Sequence, residues 1–114
     1  MSQHKIEKCL LDILNSIERI NTFLGQKRDF NEFQNNILVK QAVERNFEII
    51  GEAAKRILDI QPDFKLSNIK QITGLRNRIS HAYDSIDDSA IWVIIVNHLP
   101  LLEKEVRELL KGKL

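Results

Sequence analysis

Apolar residues recur at three- and four-residue steps along most of the chain, the spacing of helices that bury one face. Ile6, Leu10, Ile13, Leu14, Ile17, Ile20 and Leu24 share a stripe, which predicts a helix over residues 4–24 with Gly25 as its stop. Residues 25–36 are polar apart from Phe30 and Phe33, two rings expected to pin a short turn or helical piece against the rest. A second helix is predicted over residues 37–60. Val43, Phe47, Ile50, Ala54, Ile57 and Leu58 share its apolar face, Glu44, Glu48, Glu52 and Lys55 its polar one, and Pro62 marks where it must have ended. Glu52 and Arg56 have the i, i+4 spacing of an ion pair.

Further along, Ser67 is placed to cap a short helix running to residue 71, and Gly74 permits a bend before the next helix begins. Residues 84–89 read as a turn, with Asp87 or Asp88 capping a last helix over residues 90–111. Pro100 lacks an amide hydrogen and crowds the preceding turn, so a kink is expected there. By composition residues 91–96 would also suit a strand, but no second strand candidate exists to pair with them. Ile91, Trp92, Ile94 and Ile95 point all round this last helix, more than a four-helix monomer of this size is expected to cover, which predicts a homodimer. The expected fold is all-α: an up-and-down bundle of four main helices with an additional short helix, one domain over residues 1–114.

Composition changes this picture little. With 43% apolar and 29% charged residues the balance is that of a soluble globular domain. A net charge of +1 exerts no global pull on nucleic acid, so any RNA affinity must come from local clusters such as Arg76, Arg78 and Lys70. One cysteine, Cys9, excludes an internal disulfide, fits a reducing compartment and is expected to serve in packing. No apolar run approaches the roughly 20 residues of a bilayer span and no leader pattern opens the chain, so a cytoplasmic location is expected.

The chemistry concentrates in residues 74–83. Placed on a helix advancing about 100° per residue with Arg76 at the origin, Ile72, Leu75, Ile79 and Ala82 fall between roughly −40° and −120° and form the core-facing stripe. Asn77 near 100° and His81 near 140° lie almost opposite, with Arg76 and Tyr83 on the flank. A solvated helix face would show the same residue types. His4, His81 and His98 are scattered without metal-ligand spacing, no glycine-rich phosphate loop is present, and Ser80 has no triad behind it, so neither a metal nor a cofactor is expected.

The motif Arg76-Asn77-x-x-x-His81-x-Tyr83 resembles the Arg-x4-His-x-Tyr signature of the HEPN superfamily, specifically the HepT-like ribonuclease toxins paired with a minimal nucleotidyltransferase antitoxin. The similarity extends to Arg45-Asn46-Phe47-Glu48-Ile49-Ile50-Gly51-Glu52-Ala53-Ala54-Lys55-Arg56, which is like that family's second helix, and to Trp92 with Leu99-Pro100, like its last, so that it covers roughly residues 5–110.

The resemblance implies a metal-independent endoribonuclease of a type VII-like toxin–antitoxin pair. RNA would be cut at a dimer cleft with Arg76 and His81 as catalytic residues and Asn77, Arg78 and Tyr83 supporting or binding RNA phosphate. Asn46, Glu48 and Glu52 are candidate borders of the cleft. It further implies that the antitoxin attaches adenylate to Tyr83. Residue chemistry agrees with these roles: histidine titrates near neutrality and moves protons, and arginine keeps its charge and offers a planar fork to phosphate oxygens. The competing reading is a non-catalytic helical subunit that binds substrate or partner for a nucleotidyltransferase; a third is a dimeric scaffold.

Overall fold

The computed structural model describes residues 2–66 and 88–112. The fold is all-α, with no strand among the described residues. Helix α1 (Ser2–Leu24) ends as expected at Gly25, whose φ of 72° lies in the left-handed region that glycine enters without strain, and whose N–H bonds the Asn21 carbonyl at 2.9 Å. The expected aromatic piece is a short helix, α2 (Phe30–Asn35), capped by Asp29 through bonds from the Asn31 and Glu32 amides at 2.9 and 3.2 Å. Asn36 then caps α3 (Ile37–Ile60) by accepting from the Val39 amide at 3.1 Å. Gln61 closes that helix just ahead of Pro62, where proline cannot continue it.

The last rod is one run of three pieces: α4 (Asp88–Val93), a π-helical turn (Ile94–His98) and α5 (Leu99–Lys111). The distortion expected at Pro100 is the π turn just before it, in which the Leu99 amide reaches back five residues to the Ile94 carbonyl. Helix α1 packs against α3 and α5, and α2 against α3. Core side chains come from every element: Leu10, Ile13, Ile17 and Ile20 of α1, Phe33 of α2, Phe47, Ile50 and Ile57 of α3, and Ile91, Leu99, Leu102 and Val106 of the last rod are all buried. The α1, α3 and last-rod expectations therefore hold to within two residues at their ends. The short helix from Ser67, the bend at Gly74, the signature helix and the turn through Asp87 lie outside the described residues.

One premise of the dimer expectation is corrected. Ile91, Ile94 and Ile95 are buried within the chain, and Trp92 is covered by α2, its ring 5.8 Å from Phe30 edge-on and 5.3 Å from Phe33. The sequence pattern placed Phe30 and Phe33 against the bundle but not against which side chain; on one short capped helix they cover the tryptophan. Among the described residues the exposed large apolar side chains are instead Val93, Val96 and Leu101 on the outer side of the last rod, Ile37 and Leu38 at the start of α3, and Leu11 and Phe23 of α1.

Charged contacts fix the rods relative to one another. Arg107 of α5 bonds Glu18 of α1 at 2.9 Å and Glu103 of its own helix at 3.0 Å. Arg107 and Glu18 are about half exposed and screened by solvent, so the pair contributes little to stability. Lys40 and Asp88 meet at 2.9 Å with both side chains mostly covered, tying the first turn of α3 to the first residue of α4. Asp88 thus spends its carboxylate on Lys40 as well as on the favourable N-terminal end of its helix.

Beside that pair, burial pushes the Glu44 carboxyl above its ordinary value; the Asp88 charge and more weakly Glu48 add to this, while Lys40 opposes it. A carboxyl whose folded value is raised favours folding at low pH and loses that contribution as pH climbs from about 4.5 through the folded value. Glu44→Gln should therefore raise the melting temperature at pH 7 and leave it unchanged near pH 4, measured by thermal unfolding at the two pH values.

Candidate functional site

The three α3 residues singled out from sequence do not share one environment. Asn46 stands on the same helical stripe as Val43, Ile50, Ala53 and Ile57 and is itself buried. Its Nδ2 donates to the Ala42 carbonyl at 2.8 Å, which fixes the amide orientation because only the NH2 end can face a carbonyl. Asn46 Oδ1 is left without a partner among the described residues, as is the Ser16 hydroxyl of α1. Asn46 thus belongs to the inner face of the helix.

Glu48 and Glu52 lie further round the helix, Glu48 half-buried and Glu52 exposed. With Asp12 from α1 and Arg45, Ile49, Ala53 and Arg56 from α3 they line a groove of about 250 Å³ between the two helices. The groove exists because α1 and α3 run antiparallel and pack through their apolar stripes, leaving the charged shoulders of both to form its walls. It continues past Asp12 and Arg56 into a second hollow of about 370 Å³, with Cys9 and Ile60 in its lining and Lys5, Lys8 and Asp59 at its sides. Burial pushes the Cys9 thiol up, with Asp12 adding and Arg56 and Lys8 opposing, which suits the packing role expected of it.

Glu52 and Arg56 have the spacing to pair, but neither Arg56 nor Arg45 has an ion-pair partner among the described residues. From sequence Arg45 and Arg56 enter only through the family resemblance and the i, i+4 spacing with Glu52, not as site residues, and Asp12 is not singled out. The first two were legible as a stripe with Glu48 and Glu52 at steps of three and four, but Asp12 joins them only through the docking of α1, which no local pattern encodes.

Arg76, Asn77, Arg78, His81 and Tyr83 lie outside the described residues. Of the other histidines, His4 is exposed on α1 and His98 is half-buried in the π turn. No group of three or more His, Cys, Asp or Glu side chains among the described residues is arranged to hold a metal ion, and none of their helices is long and apolar enough to cross a membrane.

Comparison with known proteins bears on the whole chain. Residues 13–109 match the family model described as "Ribonuclease HepT-like". The chain is 38% identical over 107 residues to a Methanocaldococcus jannaschii protein named "Putative RNase MJ1380", covering 93% of this chain and 97% of that one. A second protein of that organism, "Putative RNase MJ0125", is 33% identical over 112 residues, with 97% and 96% covered. "Probable ribonuclease HepT" of Thermococcus cleftensis is 31% identical over 106 residues, with 90% and 93% covered. No solved structure gives a significant match. A family match over residues 13–109, near-full-length relatives and an all-α HEPN-like architecture agree, and the chain belongs to the HepT-like ribonuclease family.

Proposed function

We propose that this chain is the toxin of a type VII-like toxin–antitoxin pair and acts as a metal-independent endoribonuclease through Arg76 and His81. The observation that carries the reading is the Arg76-x4-His81-x-Tyr83 motif in a chain that matches a ribonuclease family over residues 13–109. Cleavage follows from the chemistry of those side chains. An imidazole at His81 takes the proton from a ribose 2′-hydroxyl, and the 2′-oxygen attacks the adjacent phosphorus. The Arg76 guanidinium binds the phosphorane oxygens as negative charge grows on them. The bond from phosphorus to the 5′-oxygen then breaks, and a protonated imidazole gives its proton to the leaving oxygen. One histidine does not serve readily as both base and acid in one pass, so the reading includes a two-fold dimer that supplies a second copy of His81. The exposed Val93, Val96 and Leu101 give such a dimer apolar surface to bury. Asn77 and Arg78 hold the phosphate or orient His81.

Tyr83 is the regulatory position in this reading. The partner nucleotidyltransferase joins the α-phosphate of ATP to the Tyr83 oxygen, the α–β phosphate bond breaks and pyrophosphate leaves with the hydroxyl proton; the adenylate adds bulk and negative charge near Arg76 and His81 in sequence and excludes an RNA phosphate. RNA and that antitoxin are the partners proposed, and no metal or cofactor takes part.

The test is cleavage of single-stranded RNA by the purified chain in excess chelator, with its mass in solution measured by light scattering. Cleavage that survives chelation and a mass of twice 13.3 kDa are expected. Activity lost in chelator and restored by magnesium contradicts the mechanism, and a mass near 13.3 kDa at micromolar concentration contradicts the dimer.

A further inference from the structure

The geometry points to a second RNA contact on this chain: a path along the α1–α3 groove in which Arg45 and Arg56 hold phosphates of a single strand, in addition to the phosphate held by Arg76. This rests on the ribonuclease reading above and adds to it where the substrate runs.

Arg45 and Arg56 are eleven residues apart on α3, which returns them to within about 20° of the same side and separates them by about 16.5 Å along the axis. Both are exposed, both line the groove, and neither has an ion-pair partner among the described residues, although Glu48 stands one turn from Arg45 and Glu52 one turn before Arg56. The other charges of the groove are largely spoken for. Lys8 meets Asp12 at 3.3 Å, and Glu52 has an interaction of its own. Two guanidinium forks therefore face an open channel with Glu48 as the main uncompensated carboxylate. Beyond Arg56 the channel continues to Lys5, a further cation on the same line.

The alternation of charge selects the ligand. Guanidinium forks match phosphate oxygens, while a carboxylate between them repels a purely anionic ligand and accepts hydrogen bonds from a donor. Single-stranded RNA offers both along one chain: phosphates for Arg45 and Arg56, and a 2′-hydroxyl or an exocyclic amino group for Glu48. The distance between the arginines corresponds to about five nucleotide rises of 3.4 Å in a stacked strand and to fewer in an extended one. DNA lacks the 2′-hydroxyl and should bind this groove less well.

The experiment measures binding of a fluorescent 20-nucleotide RNA to the full chain carrying His81→Ala, so that the probe is not cut, and to the same chain with Arg45→Gln and Arg56→Gln added. Each is titrated at several salt concentrations. The added pair should weaken binding at least 10-fold and lower the slope of log affinity against log salt by about 1.4, the loss of two phosphate contacts to a single strand. Thermal unfolding should not change, because both side chains are exposed. Equal affinity and slope with and without the pair overturn the proposal, as does RNA binding that persists while association with another polypeptide is lost. Should the variants fail to fold, the arginine Nε–Hε signals of the His81→Ala chain on addition of the same RNA decide it: movement of two such signals, assigned to Arg45 and Arg56, is expected, and no movement overturns it. Failure of the ribonuclease reading is separate, since it shows as a wild-type chain that cuts no RNA however this groove binds it.

Discussion

His81→Ala lowers the rate of RNA cleavage by roughly 10²–10⁴-fold, the contribution of a positioned proton-transfer group, and Arg76→Ala lowers it by a similar factor because the phosphorane loses its fixed positive charge. Both losses should appear in the rate at saturating RNA rather than in affinity alone, since each group acts most strongly on the transition state. On the helical wheel expected for residues 74–83 His81 lies almost opposite the stripe of Ile72, Leu75 and Ile79 and Arg76 lies on its flank, so truncation of either should leave the core packed and shift stability by less than about 0.5 kcal/mol. The check is single-turnover cleavage and growth inhibition for both variants beside their melting temperatures. Wild-type activity in either variant would favour the competing subunit that binds without cutting.

The second large effect is on the fold. Phe47 is fully buried on α3 and belongs to the cluster joining α1, α3 and the last rod. Phe47→Ala removes most of a ring from a packed interior and should cost about 3–5 kcal/mol, a large fraction of the roughly 5–15 kcal/mol that holds an ordinary domain folded. With each kcal/mol worth about 4–8 °C for a domain near this size, the melting temperature should fall by roughly 12 °C or more. Arg107→Ala makes the contrast: it removes the solvent-screened bridges to Glu18 and Glu103 and should leave stability nearly unchanged. Chemical denaturation of the two variants beside wild type measures both. Comparable losses would mean that surface charge, rather than the buried stripe, fastens α1 to α5.

These contrasts also show where the sequence was informative. Helix α3 spans Ile37–Ile60 as its periodicity and the proline beyond it require, because capping by Asn36, an apolar stripe and Pro62 act locally and agree. Gly25 stopped α1 for an equally local reason, its left-handed backbone. What local pattern could not convey was which element covers which. Trp92 looked uncovered until α2 placed Phe30 and Phe33 against it, and the burial of Asn46 between Val43 and Ile50 followed from how α3 docks. The groove between α1 and α3 depended on Asp12 meeting Glu48 across two helices far apart in sequence. The signature residues, which lie outside the described residues, could be grouped for the opposite reason: Arg76, Asn77, His81 and Tyr83 stand within eight positions of one another, where the spacing expected of one helix suffices.

The central claim is a transesterification that uses the RNA's own 2′-hydroxyl, and the ends of the products report it most directly. Wild-type chain incubated with a defined RNA in excess chelator should leave 2′,3′-cyclic phosphate, or the monophosphate formed by its hydrolysis, on the upstream fragment and a free 5′-hydroxyl on the downstream one. Fragments bearing 3′-hydroxyl and 5′-phosphate ends, formed only when magnesium is returned, would contradict it.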